Sequence, residues 1–348
     1  MSYTNGLDKP TDYFNTVLYT GNGTADRTVT GVGFQPQWLW IKERSNVSTH
    51  SLTDIVRGAS KRLQSSGTDA EFDTGTDNVR SFDSDGFTLG TGGQVNENTQ
   101  TYVSWNWLAN GTGSSNTDGD ITSTVSANTT AGFSIVSYTG TGSNATVGHG
   151  LGSTPAMIIW KNRSASNGWI VYHHGNTSAP ETDYLELHST NGTNDLNTIM
   201  NDTAPTSSVF TVGTEGAVNN SGNNFIAYCF AEKKGYSKFG SYFGNNSTDG
   251  TFVYLGFKPA FFMLKKSSGS GTNWEMLDST RNPGNPMDKR TRANTSEAES
   301  TSTRADFLSN GIKFRTAGGE TNDPFTYIYM AFAENPFVTS TGIPTTAR

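Results

Sequence analysis

The chain has 348 residues, of which 16% are charged, and most of its polarity is carried by Gly, Ser, Thr and Asn. A formal net charge of −7 excludes a phosphate-binding surface of clustered cations, so no nucleic-acid partner is expected. No apolar run approaches the ~20 residues of a membrane span, and the single cysteine, Cys229, excludes an internal disulfide framework and a cysteine-rich zinc site.

Hydroxyls and amides favour turns and short strands, and Glu/Lys/Leu/Ala stretches at helical spacing are absent, so the chain reads as all-β. Its length suggests two or three domains. In chain order, "MSYTNGLDKP" carries no signal-peptide core, which predicts synthesis in a cytoplasm without secretion. A strand "VLYTGNG" follows from Val17, then "GFQPQWLWIKERS" from Gly33 and "HSLTDI" from His50. The stretch after Asp54, "DIVRGASKRLQSS", offers room for one short helix; "SFDSDGFTLG" from Ser81 and "YVSWNWLA" from Tyr102 complete the set. Residues 111–130 read as a Gly/Ser/Thr/Asn-rich linker.

The same order then returns. A second copy has "IVSYTGTG", "GSTPAMIIWKNRS", "WIVYHH", "SSVFTVG" and "FIAYCFAE". A third has "FGSYFGNN", "GFKPAFFMLKKSS", "WEMLDS", "FLSNGIKFR" and "YIYMAFAE". The division is 1–110, 131–235 and 236–348, three tandem β-sandwich units of a jelly-roll-like kind, about a hundred residues each. Pro36, Pro155 and Pro259 lead the second strand of each copy, where a missing N–H removes no ladder bond. "PAMIIW" and "AFFML" are continuously apolar, as in strands covered on both faces by a second sheet or a neighbouring copy.

In the last strand, Trp105 matches Tyr228 and Met330, and Trp107 matches Phe230 and Phe332, with Asn106, Cys229 and Ala331 between them. Large groups two apart with small ones between mark one well-packed strand face, so this string is core, and Cys229 is a small buried hydrophobe. Lys42, Lys161 and Lys265 close the second strand of each copy. They are the polar feature chosen for interaction, against the plainer reading of edge charges that block unwanted pairing. Trp38 and Trp169 are chosen as aromatic tips able to bind sugars or pack on a partner.

Chemistry is sparse. "FDSDG" lacks the further ligands of an EF-hand loop and reads as a tight turn. His173 and His174 are adjacent on a strand and point to opposite faces, which disfavours one shared metal. The cluster around Lys289, Arg290 and Arg292 reads as a solvated loop. No base, acid and nucleophile converge, so no enzyme, catalytic residue, cofactor or metal is expected.

The ordered strings "GFQPQWLWIKERS … YVSWNWLANG", "GHGLGSTPAMIIWKNRS … YCFAEKKGYSKFGSY" and "GFKPAFFMLKKSS … YIYMAFAENPF" together resemble an uncharacterised repeat domain of marine tailed-bacteriophage virion proteins. The resemblance implies a virion structural protein, in tail fibres or other surface appendages, released at lysis. Expected partners are other virion proteins, further copies of the chain with a trimer favoured, and a host surface glycan. A capsid decoration protein is the alternative, and a glycan-degrading enzyme ranks third.

Overall fold

A computed structural model of the protein describes residues 6–269 and 271–345; residues 1–5, part of the stretch read for a secretory signal, lie outside them. The protein is all-β, with strands joined by tight turns and a few one-turn helices. The first segment of chain forms β1 (Phe14–Thr20), β2 (Arg27–Thr30), β3 (Trp38–Glu43), β4 (Ser51–Asp54), β5 (Lys61–Arg62), β6 (Phe72–Asp73), β7 (Val79–Asp83), β8 (Gly86–Leu89) and β9 (Thr101–Trp107). No helix forms after Asp54; a turn and β5 stand there, because Arg57 folds back to hold Asp54. Residues 111–130 are not a bare linker: β10 (Ser114–Asn116) and β11 (Ser123–Asn128) form a hairpin that adds to the next sheet.

The second segment forms β12 (Phe133–Thr139), β13 (Ala145–Gly148), β14 (Met157–Asn162), β15 (Trp169–His173), β16 (Asp183–Glu186), β17 (Asn194–Asp195), β18 (Val209–Val212) and β19 (Asn224–Phe230). The third forms β20 (Ser237–Phe243), β21 (Phe252–Tyr254), β22 (Phe257–Lys266), β23 (Glu275–Asp278), β24 (Met287–Arg292), β25 (Ser300–Leu308), β26 (Gly311–Phe314) and β27 (Thr326–Pro336).

One strand order occurs in all three: β1-β9-β3-β4, β12-β19-β14-β15 and β20-β27-β22-β23, antiparallel throughout. The small sheets β2-β8-β7 and β13-β18 accompany the first two. In the third, β24, β25, β26 and β21 continue the main sheet, which curls until its edges β20 and β21 meet. The "FDSDG" stretch is the β7–β8 turn, where Asp85 accepts the Gly31 and Gly33 N–H groups at 3.2 and 2.6 Å. Gly86 has φ +155°, and a Cβ there would lie 1.9 Å from the Val29 carbonyl oxygen, so no other residue fits.

The last strands show where the core sits. Along β19, Ile226, Tyr228 and Phe230 enter one hydrophobic cluster and Phe225, Ala227 and Cys229 another. Along β27, Ile328, Met330 and Phe332 join the first of these, while Tyr327, Tyr329 and Ala331 enter a cluster of the third segment alone. Val103, Trp105 and Trp107 of β9 join the same shared cluster. Each main sheet therefore has one face on its own core and one on a core common to all three segments. That is why these strands are apolar without alternation. Trp38 stacks on Tyr228 of the second segment (4.3 Å between centroids), and Phe14 on Phe332 of the third (5.0 Å).

Candidate functional site

All five residues expected to meet a partner are buried: Lys42, Lys161, Lys265 and Trp169 are 0% exposed and Trp38 1%. The tip and edge-charge readings are both corrected, for the lysines lie inside the molecule at the joints between segments. Lys42 Nζ donates to the carbonyls of Glu43 (2.6 Å) and of Ser296 in the third segment (3.4 Å). Lys161 donates to Asn167 (2.7 Å) and, in the first segment, Thr68 (2.9 Å). Lys265 donates to Thr272 (2.9 Å) and, in the second, Thr190 (2.8 Å). Burial lowers each ammonium to about 8. First reaches third, second reaches first and third reaches second, so the contacts close a ring.

Other groups follow the same direction. The backbone N–H of Glu299, Glu71 and Thr193 donates to the carbonyls of Arg44, Arg163 and Ser267 at 2.9, 2.9 and 2.8 Å. His50, Trp169 and Trp274 open the equivalent strands β4, β15 and β23, or stand just before them. Trp169 Nε1 reaches the Gln64 carbonyl (2.9 Å) and Trp274 Nε1 that of Glu186 (2.8 Å). His50 takes the Trp40 indole N–H on Nδ1 at 2.7 Å, which leaves Nε2–H to reach Arg292 and Thr295 carbonyls. Burial and the Lys42 charge push this imidazole down to about 3, so it stays neutral.

A buried acid sits at two of the three joints. Asp54 binds Arg57 and accepts the Tyr228 hydroxyl at 2.8 Å; Asp278 binds Arg281 at 2.5 Å and accepts Trp105 Nε1 at 3.1 Å. Arg57 continues to Glu71, which Arg163 grips with two bonds of 2.9 Å, and Arg281 continues to Glu299, gripped likewise by Arg44. At the third joint His173 and Asn176 replace Asp and Arg, and Met330 holds the ladder position that Tyr228 and Trp105 have in the other segments. A thioether donates nothing, so a carboxylate there would lack its partner. The neutral His173 instead accepts the Gly175 N–H on Nδ1 (3.1 Å) and turns Nε2 to the Tyr329 carbonyl (3.0 Å).

One recurring device escaped the sequence reading. Tyr19, Tyr138 and Tyr242 donate to the carbonyls of Val95, Val218 and Thr321 at 2.8, 2.6 and 2.6 Å. Those carbonyls belong to one-turn helices α1 (Gly93–Asn96), α3 (Gly216–Asn219) and α4 (Gly319–Asn322), while α2 (Asn197–Met200) stands apart. The buried Asn96, Asn219 and Asn322 close each corner with bonds from Nδ2 to Gly90, Gly213 and Thr316. The signal is G-x-x-N, its Asn four or five residues before the start of each aromatic strand.

Arg290 and Arg292 are not in a solvated loop but on β24. Arg290 bridges Glu275 and Glu320, while Arg292 lies 2.9 Å from Glu320 and Arg304 3.2 Å from Glu275. Burial, then the hydrogen bond with Glu320, pushes Glu275 up to about 7. Three guanidinium groups cover this carboxylate pair, which ties β23, β24, β25 and α4 together. Among the described residues no group of three or more His, Cys, Asp or Glu could hold a metal ion.

The outer surface differs between segments. At the ladder position of Tyr254, opposite Gly311, the others carry Thr30 and Gly148; at Phe252 they carry Thr28 and Thr146; at Phe243 they carry Thr20 and Thr139. Phe243, Phe252 and Tyr254 are 62%, 43% and 56% exposed. They line the seam where β20 meets β21: Thr251 donates to the Phe243 carbonyl at 2.8 Å, and Lys238 to the Tyr254 carbonyl at 2.9 Å. Phe337, 40% exposed, continues the row. The second segment exposes no large hydrophobic residue among those described.

The chain matches a domain family of unknown function, DUF7483, over residues 9–336, and belongs to that family. No curated protein matches it.

Proposed function

We propose that this chain is a non-enzymatic structural protein of a bacteriophage virion, a component of a tail fibre or other surface appendage that takes part in host attachment. The sequence resemblance supports the class. The observation that carries attachment is the row of exposed aromatic rings on the third segment, where the same positions of the other two hold Thr or Gly. Exposed rings in a row mark interaction surfaces. They belong to strands, which hold them rigidly.

In this proposal the trimer expected from the sequence is supplied within one chain. Three equivalent sheets close a ring through Lys42, Lys161 and Lys265, so a single chain stands where three shorter ones would. Its neighbours are other virion proteins. The test offers fluorescently labelled protein, of measured solution mass, to host cells and to phage heads assembled without it. Saturable binding to cells by a species of single-chain mass is the expected result. Binding to heads at a fixed copy number, with none to cells, overturns attachment and makes the chain a capsid decoration protein.

A further inference from the structure

We infer that the cleft between Tyr254 and Phe337 is a saccharide-binding site; the inference rests on the attachment reading and names its ligand class. The cleft encloses about 380 Å³ and is lined by Glu232, Lys234, Ser237, Lys238, Tyr254 and Phe337, among others. That volume is within the range of ligand sites, roughly 300–1,000 Å³. It lies at the turn that joins β19 to β20, beside the end of β21 and the chain leaving β27.

The side chains present suit a sugar. Two partly exposed rings offer negative π faces to the weakly positive C–H groups on one side of a pyranose. Between them stand a carboxylate, which accepts from hydroxyls, and ammonium and hydroxyl groups, which donate to hydroxyl and ring oxygens. The site is held in place before any ligand arrives. Lys238 spans the seam to the Tyr254 carbonyl at 2.9 Å and its Nζ lies 5.3 Å from the Tyr254 ring centroid. The Phe239 N–H donates to the Glu232 carboxylate at 3.3 Å, and the Phe337 N–H to the Gly256 carbonyl at 3.3 Å.

The cleft is particular to the third segment. Asn15 and Ser134 occupy the strand position of Lys238, and Thr30 and Gly148 the ladder position of Tyr254. From Tyr254, Phe252 stands on the same face of β21 two residues away, and Phe243 lies beyond it. The row would seat a linear oligosaccharide, with its most enclosed unit in the cleft.

The experiment uses the full chain, an array of defined neutral and uronic-acid-bearing oligosaccharides, and host cells. Variants are Tyr254→Thr, which installs the residue of the first segment, Phe337→Ala, and Phe72→Ala as an exposed-ring control on the first segment. The expected result is retention of one saccharide class by wild type and Phe72→Ala, with about tenfold weaker retention by each cleft variant, the scale of losing one well-placed ring, and unchanged melting. Cell binding falls in parallel and is abolished by periodate. Retention equal in wild type and cleft variants overturns the cleft but leaves attachment standing. Cell binding that survives periodate, is lost on protease treatment and has no counterpart on the array overturns the saccharide. Binding to heads with none to cells or array overturns attachment, and this inference with it.

Discussion

At the joints between segments, equivalent positions do equivalent work. Lys42, Lys161 and Lys265 each cap a neighbouring carbonyl, and Trp107, Phe230 and Phe332 all enter the shared core. On the outer face of the third segment the equivalence stops, and Phe243, Phe252 and Tyr254 replace small or hydroxyl-bearing residues. The contrast separates two demands on one fold. At a joint a buried charge needs a partner from the neighbouring segment, and the neutral His173 stands at the joint where Met330 takes the strand position of Tyr228 and Trp105. An outward strand position has no such partner, and one segment can change alone.

The largest effect belongs to the shared core. Phe332 packs on Phe14 and Trp107 of the first segment and Phe230 of the second. Phe332→Ala is expected to lower stability by about 3–5 kcal/mol, read by chemical denaturation. Hydrogen exchange should show amides of all three segments losing protection together. Loss confined to residues 236–345 would mean that the third segment folds as a separable domain.

Next comes the buried acid. Tyr228→Phe removes the hydroxyl donor from Asp54 while keeping the ring, at an expected cost of about 1–3 kcal/mol. Met330→Leu, at the equivalent position of the joint that has no acid, should cost less than about 1.5 kcal/mol. Equal costs in denaturant titrations would show that the hydroxyl-to-Asp54 bond contributes nothing specific.

How much of this was legible in the sequence differs between the two regions. The aromatic strings were readable as core because Trp105, Tyr228 and Met330 keep a strand period within a few residues. The continuous run in "PAMIIW" also announced a second covered face. What covers that face depends on how three sheets meet, and no local pattern carries it. Lys161 in sequence looks like an edge charge, since burial of its head on the Thr68 carbonyl rests on a loop ninety-three residues away. The hairpin of β10 and β11 was hidden by polar strands that only extend an edge. Tyr254, Phe252 and Phe243 were missed for another reason. Positions that the three segments share report the common strand order, whereas these rings stand where the third segment departs from the other two.

The lysines make a pH test of the joint. Each is lowered from 10.5 to about 8, by burial. In the unfolded chain they stay protonated to near 10.5, so between these values the unfolded state binds more protons and stability rises with pH. Below pH 8 both states are charged and the rise is absent. The best window is pH 8 to 9, where three lysines outweigh the one thiol of Cys229, which burial raises and which acts in the opposite direction. That window also lies below the range where the buried tyrosines titrate in the unfolded chain. Melting temperature should climb across that window, and in the triple variant Lys42→Met, Lys161→Met, Lys265→Met the climb should vanish and leave the slight fall due to Cys229, whatever the absolute stability. A flat wild-type profile would mean that water reaches the three ammonium groups.

The smallest expected change in stability is on the outer face, and it sharpens the comparison most. The variant Phe243→Thr, Phe252→Thr, Tyr254→Thr gives the third segment side chains like those of the first at every ring position along the seam. Threonine suits a half-exposed strand, and each exposed substitution should stay within about 0.5 kcal/mol. The backbone bonds of the seam are unaffected, since Lys238 holds the carbonyl of residue 254 whatever its side chain. The fold should therefore survive with an unchanged denaturation midpoint while retention on host cells falls to background. If cell binding persists in a protein so altered, recognition lies elsewhere on the surface. If stability instead falls by several kcal/mol, the rings are part of the third segment's own core closure, and their exposure has a structural cause.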